Sequence, residues 1–169
     1  MRWMWIDRIV LLEPAKRLVA IKNVSMAEEH LHDHFAAEGG EPALPIMPAS
    51  LMVEGMAQTA GILVGHAEGF QEKVILAKVS RAEFSEEVPP GYTIRYDARV
   101  EQMGPSGAST AGTVERIDPA TGVSKVIGRI DLMFSHLDQN MSGEKFPEEN
   151  FVFGEGFRTL LRQSGVVTG

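Results

Sequence analysis

The sequence contains no cysteine. Disulfides therefore cannot contribute to its stability, and a thiolate metal site is excluded, which fits a reducing compartment. No run of about 18 apolar residues is present, so no membrane span is expected. The N-terminal stretch MRWMWIDRIVLLEP carries Asp7 and Arg8 inside its apolar residues, unlike the charge-free core of a signal peptide. The expectation is a cytoplasmic protein. Basic residues are outnumbered, 16 Lys and Arg against 23 Asp and Glu, for a net charge of -7. That balance argues against nucleic acid as a partner and favours solubility. Internal repeats and low-complexity segments are also lacking.

What remains is an ordinary globular composition. With 169 residues, 44% hydrophobic and 23% charged, the chain is long enough for one domain with a real core. The stretch from Leu31 to Val64 organises it. A histidine-bearing segment (His32, Asp33, His34, Phe35) leads into AAEGGEPALP, Ala36 to Pro45, whose Gly and Pro residues require a loop. Pro48 and Ser50 then signal a helix start. From Leu51 to about Ala67 the chain is apolar all round, the pattern of a helix buried on most sides. Gly55, Gly61 and Gly65 are poor helix formers, so something must pack close against them. Glu54 stands inside this run. A carboxylate in apolar surroundings needs a partner or a proton. Gln58 lies four residues on and shares its face.

Around the helix the sequence predicts strands. Trp3 to Leu12 and Arg17 to Val24 read as two strands joined by EPAK in a hairpin-like connection, and Ser25 with Glu28 matches a capping box. Lys73 to Val79 is a third strand, extended through Ala82 to Phe84. Tyr92 to Met103 alternates, with Ile94, Tyr96, Ala98 and Val100 on one face. Ser109 to Ile117 and Val123 to Leu137 complete an antiparallel meander. Gln139 to Lys145 reads as a linker, Pro147 to Gln163 as an amphipathic helix whose Phe and Leu residues pack on the sheet or on a neighbouring subunit, and the C-terminal VVTG as a frayed tail. The predicted architecture is an α+β hotdog domain over 1–138, an antiparallel sheet wrapped around one long buried helix, followed by a linker and helical extension over 139–169.

These residues resemble the 3-hydroxyacyl-[acyl-carrier-protein] dehydratases of fatty-acid synthesis, which are hotdog proteins. The pieces that carry the resemblance are Ile6-Asp7-Arg8-Ile9, Lys22-Asn23-Val24-Ser25, Asp33-His34-Phe35, Met47-Pro48-Ala49-Ser50-Leu51 and Glu54-Gly55-Met56-Ala57-Gln58, followed by Arg81-Ala82-Glu83-Phe84 and Val88-Pro89-Pro90-Gly91. They occur in family order over residues 5 to 137. The resemblance implies dehydration of (3R)-hydroxyacyl thioesters to trans-2-enoyl thioesters. It places the base at His34, the acid at Glu54, a thioester-oxygen donor at the Ala49 N–H, and Gln58 beside Glu54 or the departing water. Met52, Met56 and Phe84 are expected to line the acyl groove. The implied partner is acyl carrier protein or a coenzyme A thioester, with Lys73, Lys78 and Arg81 as a basic docking patch. The implied assembly is a homodimer, or a trimer of dimers, in which His34 and Glu54 come from different subunits. No cofactor, metal, nucleic acid or membrane is called for.

The chemistry suits the residue types. An imidazole can take a C2 proton, and a carboxylic acid can protonate the departing C3 hydroxyl. Backbone N–H groups at a helix N-terminus can meet enolate charge. Departures from the pattern are concentrated in one place. His34 to Glu54 spans 54 − 34 = 20 positions, six more than in that pattern, and Ala49 and Asp33 stand where it has glycines. They keep open a hotdog acyl-thioesterase, in which the helix carboxylate activates water or attacks the thioester, and a non-catalytic acyl-binding protein. Other readings of single residues also stand: Glu54 paired with an arginine such as Arg8, a zinc site on one face of an extended His30-His32-His34, Met52 and Met56 as core, and His66 and His136 as surface or helix-end histidines.

Overall fold

A computed structural model describes residues 3–137 and 152–166. The expected linker, the tail beyond Val166 and the start of the predicted C-terminal helix lie outside these residues. The described elements are β1 (Arg8–Glu13), β2 (Arg17–Asn23), α1 (Glu29–Asp33), α2 (Ala49–Ala67), β3 (Val74–Phe84), β4 (Thr93–Gly104), β5 (Gly107–Ile117), β6 (Ser124–His136) and α3 (Glu155–Gln163).

The six strands form one sheet in the order β1-β2-β4-β5-β6-β3, and every neighbouring pair is antiparallel. The sheet curves around α2. Ile94, Tyr96 and Ala98 on β4 are fully buried beneath the helix, as are Ile62, Leu63 and Val64 on α2 itself. Each large side chain so buried contributes roughly 1.5–3 kcal/mol of hydrophobic stabilisation. The small residues on α2 permit the close approach. A Cβ on Gly55 would come within 2.5 Å of the Tyr96 ring, and one on Gly65 would overlap the ring of Phe153.

The helix starts at Ala49, just before the expected Leu51, with Pro48 as its N-cap. Ala49 is helical and free of the left-handed strain that a replaced glycine could leave, since among the described residues the positive-φ non-glycine residues are Ala15 and Phe70. The long loop also has a simple form. Gly39 (φ 61°) and Gly40 (φ 94°) occupy the positive-φ centre of a tight turn between Glu38 and Glu41, a conformation glycine adopts without steric cost. The Leu44 N–H donates to the Phe35 carbonyl at 2.9 Å. The extra residues thus fold back on themselves as an exposed hairpin.

Two expected elements differ, and one alternative reading loses its geometry. Residues 3–6 are not part of a strand, because the backbone of Trp3 and Trp5 is engaged by a side chain of α2 instead of a neighbouring strand. His30 to His34 lie in a helical turn, where the His34 N–H donates to the His30 carbonyl at 3.1 Å. This removes the extended segment on which a three-histidine zinc site depended. The C-terminal helix begins only at Glu155, because Gly154 is extended (ψ −176°). Its Leu160 and Leu161 are buried in the same core as the rest of the chain. The Ser164 hydroxyl accepts the Ile9 N–H at 3.0 Å and so occupies a donor on edge strand β1. Among the described residues, no helix is long and apolar enough to cross a membrane.

Candidate active site

Glu54 projects from the second turn of α2, half-buried. Gln58, one turn later and buried, donates from Nε2 to Glu54 Oε1 at 2.9 Å. The same Nε2 donates to the Trp3 carbonyl at 2.9 Å, and Gln58 Oε1 accepts the Trp5 N–H at 2.8 Å. Both N–H donors and the oxygen of this amide are engaged, so its flip state is set by its surroundings. Among the described residues no arginine pairs with Glu54; Arg8 is an exposed residue on β1.

Glu54 and Gln58 border a cavity of about 280 Å³. Ala57, Gly61 and Ile62 continue the α2 wall, at the spacing of one helix face. Val74 to Leu76 and Phe134 form the sheet wall, and Val152, Phe153 and Phe157 close the third side. Its lining is thus predominantly apolar, with a carboxyl group and an amide, the composition expected of a small-ligand site.

The structure separates the other expected site residues. His34 is exposed at the end of α1, with its ring 4.3 Å from that of Phe35. Within one protomer it makes no described contact with Glu54. Ala49 is exposed at the first position of α2, whose N-terminus has no side-chain cap. Its N–H is therefore one of the helix donors that lack an intrahelical acceptor.

Met52, Met56 and Phe84 do not line the cavity beside Glu54. Met52 and Met56 are core residues on the face of α2 turned to the sheet; Met56 fills the space left by Gly112. Phe84 packs over Gly128 at the far end of β3. The expected basic patch is also altered. Lys73 is buried, whereas Lys78 and Arg81 are exposed on β3 and Arg81 lies 3.4 Å from Asp131. His136 is buried rather than on the surface, with Nδ1 donating to the Pro105 carbonyl at 3.1 Å.

One neighbour of the site enters the sequence analysis only through the three-histidine zinc alternative. His30 packs edge-on against Trp5 with ring centroids 5.1 Å apart, and Trp5 is the residue held by Gln58. Its Nε2 is buried without a partner among the described residues. Burial lowers the His30 pKa, with Lys22 and His34 acting in the same direction and Glu28 opposing. Nothing in the local sequence marks it, since its environment is assembled by Trp5 from the other end of the chain.

A curved antiparallel sheet wrapped on one helix, with a carboxylate on the helix flank beside an apolar cavity, defines a hotdog protein. The chain belongs to the family of the FabA-like domain, which matches residues 2–116. It is 35% identical over 123 residues to the 3-hydroxyacyl-[acyl-carrier-protein] dehydratase FabZ of Ruminiclostridium cellulolyticum, covering 71% of this chain and 82% of that protein. It is 33% identical over 145 residues to the FabZ of Solibacter usitatus, covering 85% and 82% respectively. Among solved structures it superposes on an acyl-CoA hydrolase variant of Staphylococcus aureus in complex with coenzyme A. That superposition has a TM-score of 0.58 at 16% identity and covers 88% of this chain and 86% of the other. Likeness at that identity speaks for the fold alone.

Proposed function

We propose that this chain is a hydro-lyase that dehydrates (3R)-3-hydroxyacyl thioesters of acyl carrier protein to trans-2-enoyl thioesters in cytoplasmic fatty-acid synthesis. The observation that carries this reading is Glu54, held by Gln58 at the edge of an apolar cavity, in a chain whose curated relatives are dehydratases. The imidazole of His34 takes the C2 proton. The electron pair forms the C2–C3 double bond as the C3–O bond breaks, and the Glu54 carboxyl protonates the leaving hydroxyl, which departs as water. Charge that develops on the thioester oxygen is met by the Ala49 N–H at the positive end of α2. Gln58 keeps Glu54 aimed at the leaving group.

The active assembly is a homodimer in which the partner subunit's His34 reaches Glu54. Strand β3 supports this, because it is a sheet edge that exposes Leu76 and Val79, and such edges invite pairing. Exposed Lys78 and Arg81 lie on the same strand, where an acidic carrier protein can approach them.

The test is hydration of a 2-enoyl thioester, followed by loss of its ultraviolet absorbance, alongside an assay for free thiol. Loss of the enoyl absorbance without thiol release is expected. Absorbance loss matched by an equal release of thiol would assign the site to hydrolysis instead, because cutting the thioester also removes the conjugated chromophore.

A further inference from the structure

The cavity beside Glu54 has a direction. Its α2 wall runs from Glu54 to Ile62, eight residues and so about 12 Å along the helix axis. One turn further, at Gly65, the ring of Phe153 lies directly on the helix, in space that any side chain at position 65 would take. Phe157 packs on Phe153, with centroids 5.9 Å apart, and both rings line the cavity. Glu54 is therefore at one end of the α2 wall and a pair of aromatic rings follows the other.

The rings are held firmly. Phe153 is buried and stacks edge-on with Phe70 at 4.9 Å. Behind it, Leu160 and Leu161 anchor α3 in the core, and Ser164 ties the segment to β1. The whole segment lies beyond residue 116, where the FabA-like match ends.

We infer that Phe153 and Phe157 form the end wall of the acyl channel, so that this chain's own C-terminal segment sets the length of fatty-acyl thioester it accepts. The inference rests on the dehydratase reading of Glu54 and adds the determinant of substrate length. An acyl chain with its C3 at Glu54 and its thioester toward Ala49 runs along α2 over Ala57, Gly61 and Ile62 until its terminal methyl meets the rings. Chains that stop short of the wall gain from each buried methylene; longer ones must displace a packed aromatic pair. A single methylene in such a pocket is worth a factor of about ten or more in kcat/KM.

The experiment compares kcat/KM over a series of trans-2-enoyl thioesters of increasing length for the wild type, Phe157→Leu, Phe157→Ala and Gly61→Ala. Phe157→Leu accompanies Phe157→Ala in case the larger truncation unfolds the chain. A methyl on Gly61 would sit 3.6 Å from the Phe134 ring, an ordinary contact, so Gly61→Ala narrows the channel without forcing a clash. The ratio of long-chain to short-chain kcat/KM should rise about tenfold or more in the Phe157 variants and fall in Gly61→Ala. Binding of non-reactive acyl-pantetheine thioethers, measured by calorimetry, should follow the same order. An unchanged length profile in Phe157→Leu and Gly61→Ala, by turnover and by binding, overturns the inference. A wild type that hydrates no enoyl thioester of any length overturns the dehydratase reading instead, and the thioether binding profile then decides the length question separately.

Discussion

Gln58 fixes Glu54 and the N-terminal segment with one amide group: its Nε2 lies 2.9 Å from Glu54 Oε1 and 2.9 Å from the Trp3 carbonyl, while its Oε1 takes the Trp5 N–H. A residue with both duties couples activity to the seating of residues 3–6. Gln58→Ala leaves the Trp5 N–H and the Trp3 carbonyl without these partners, a cost of about 1–3 kcal/mol for each group that stays buried. The expected outcome is a lower melting temperature together with a kcat for enoyl hydration reduced by about tenfold or more. Thermal unfolding and steady-state kinetics on the same preparation check both. A kcat at the wild-type level would remove Gln58 from the orientation of Glu54.

Glu54→Gln and His34→Ala are each expected to lower kcat about 100- to 10,000-fold, the usual contribution of a positioned acid or base. Neither should unfold the chain, since His34 is exposed and Glu54 half-buried. Because the two groups are proposed to meet across a subunit boundary, co-refolding the two inactive variants should restore activity. A mixed dimer contains one site with both native residues. Mixtures as inactive as their components would overturn a site shared across the subunit boundary.

Gly55 and Tyr96 predict a steric coupling between α2 and the sheet. In Gly55→Ala the new methyl meets the Tyr96 Cζ and hydroxyl at 2.5 Å. Overpacking of this kind costs about 1–3 kcal/mol, against a helix-propensity gain of roughly 1 kcal/mol. The Tyr96 hydroxyl is also buried with no partner among the described residues, so Tyr96→Phe should raise the melting temperature. The double variant should then lose less than Gly55→Ala loses in the wild type. A double-mutant cycle by thermal unfolding measures this, and strict additivity would show that the two residues do not collide.

Much of this architecture is legible in the sequence, for physical reasons that differ by element. The period-two pattern of β4 places Ile94, Tyr96 and Ala98 on the buried face, and the apolar run after Pro48 becomes α2 over nearly the expected span. Glu54 and Gln58 are paired by helical spacing alone. The phase of α2 is not legible, because a helix apolar on all sides does not reveal which face meets the sheet and which meets a cavity. The pattern therefore does not show that Met56 turns to Gly112 on the sheet while Ala57 and Gly61 turn to the cavity. Residues 3–6 escape strand form through an amide 53 positions away from Trp5, and no local pattern reports such a contact. The Gly39-Gly40 turn shows the opposite case. Two glycines in a long insertion suffice to close it as a hairpin, so added length need not disturb the helix that follows.

His30 gives the fold a pH dependence whose sign follows from its burial. Desolvation lowers its pKa from the ordinary 6.5, aided by Lys22 and His34 and opposed by Glu28. The unfolded chain therefore takes up this proton before the folded one does. Its stabilising contribution is present above the ordinary value and is lost as pH falls from there through the lower folded value; below both it is fully lost. Trp5 packs against His30 and is itself held by Gln58, so protonation also strains the contact that positions the residues beside Glu54. His30→Phe keeps the aromatic edge against Trp5 and removes the titration. The wild type should lose melting temperature between about pH 8 and about pH 5, and His30→Phe should lose less over the same interval. Thermal unfolding of both proteins at several pH values decides the matter: parallel curves would mean that His30 does not carry the acid sensitivity.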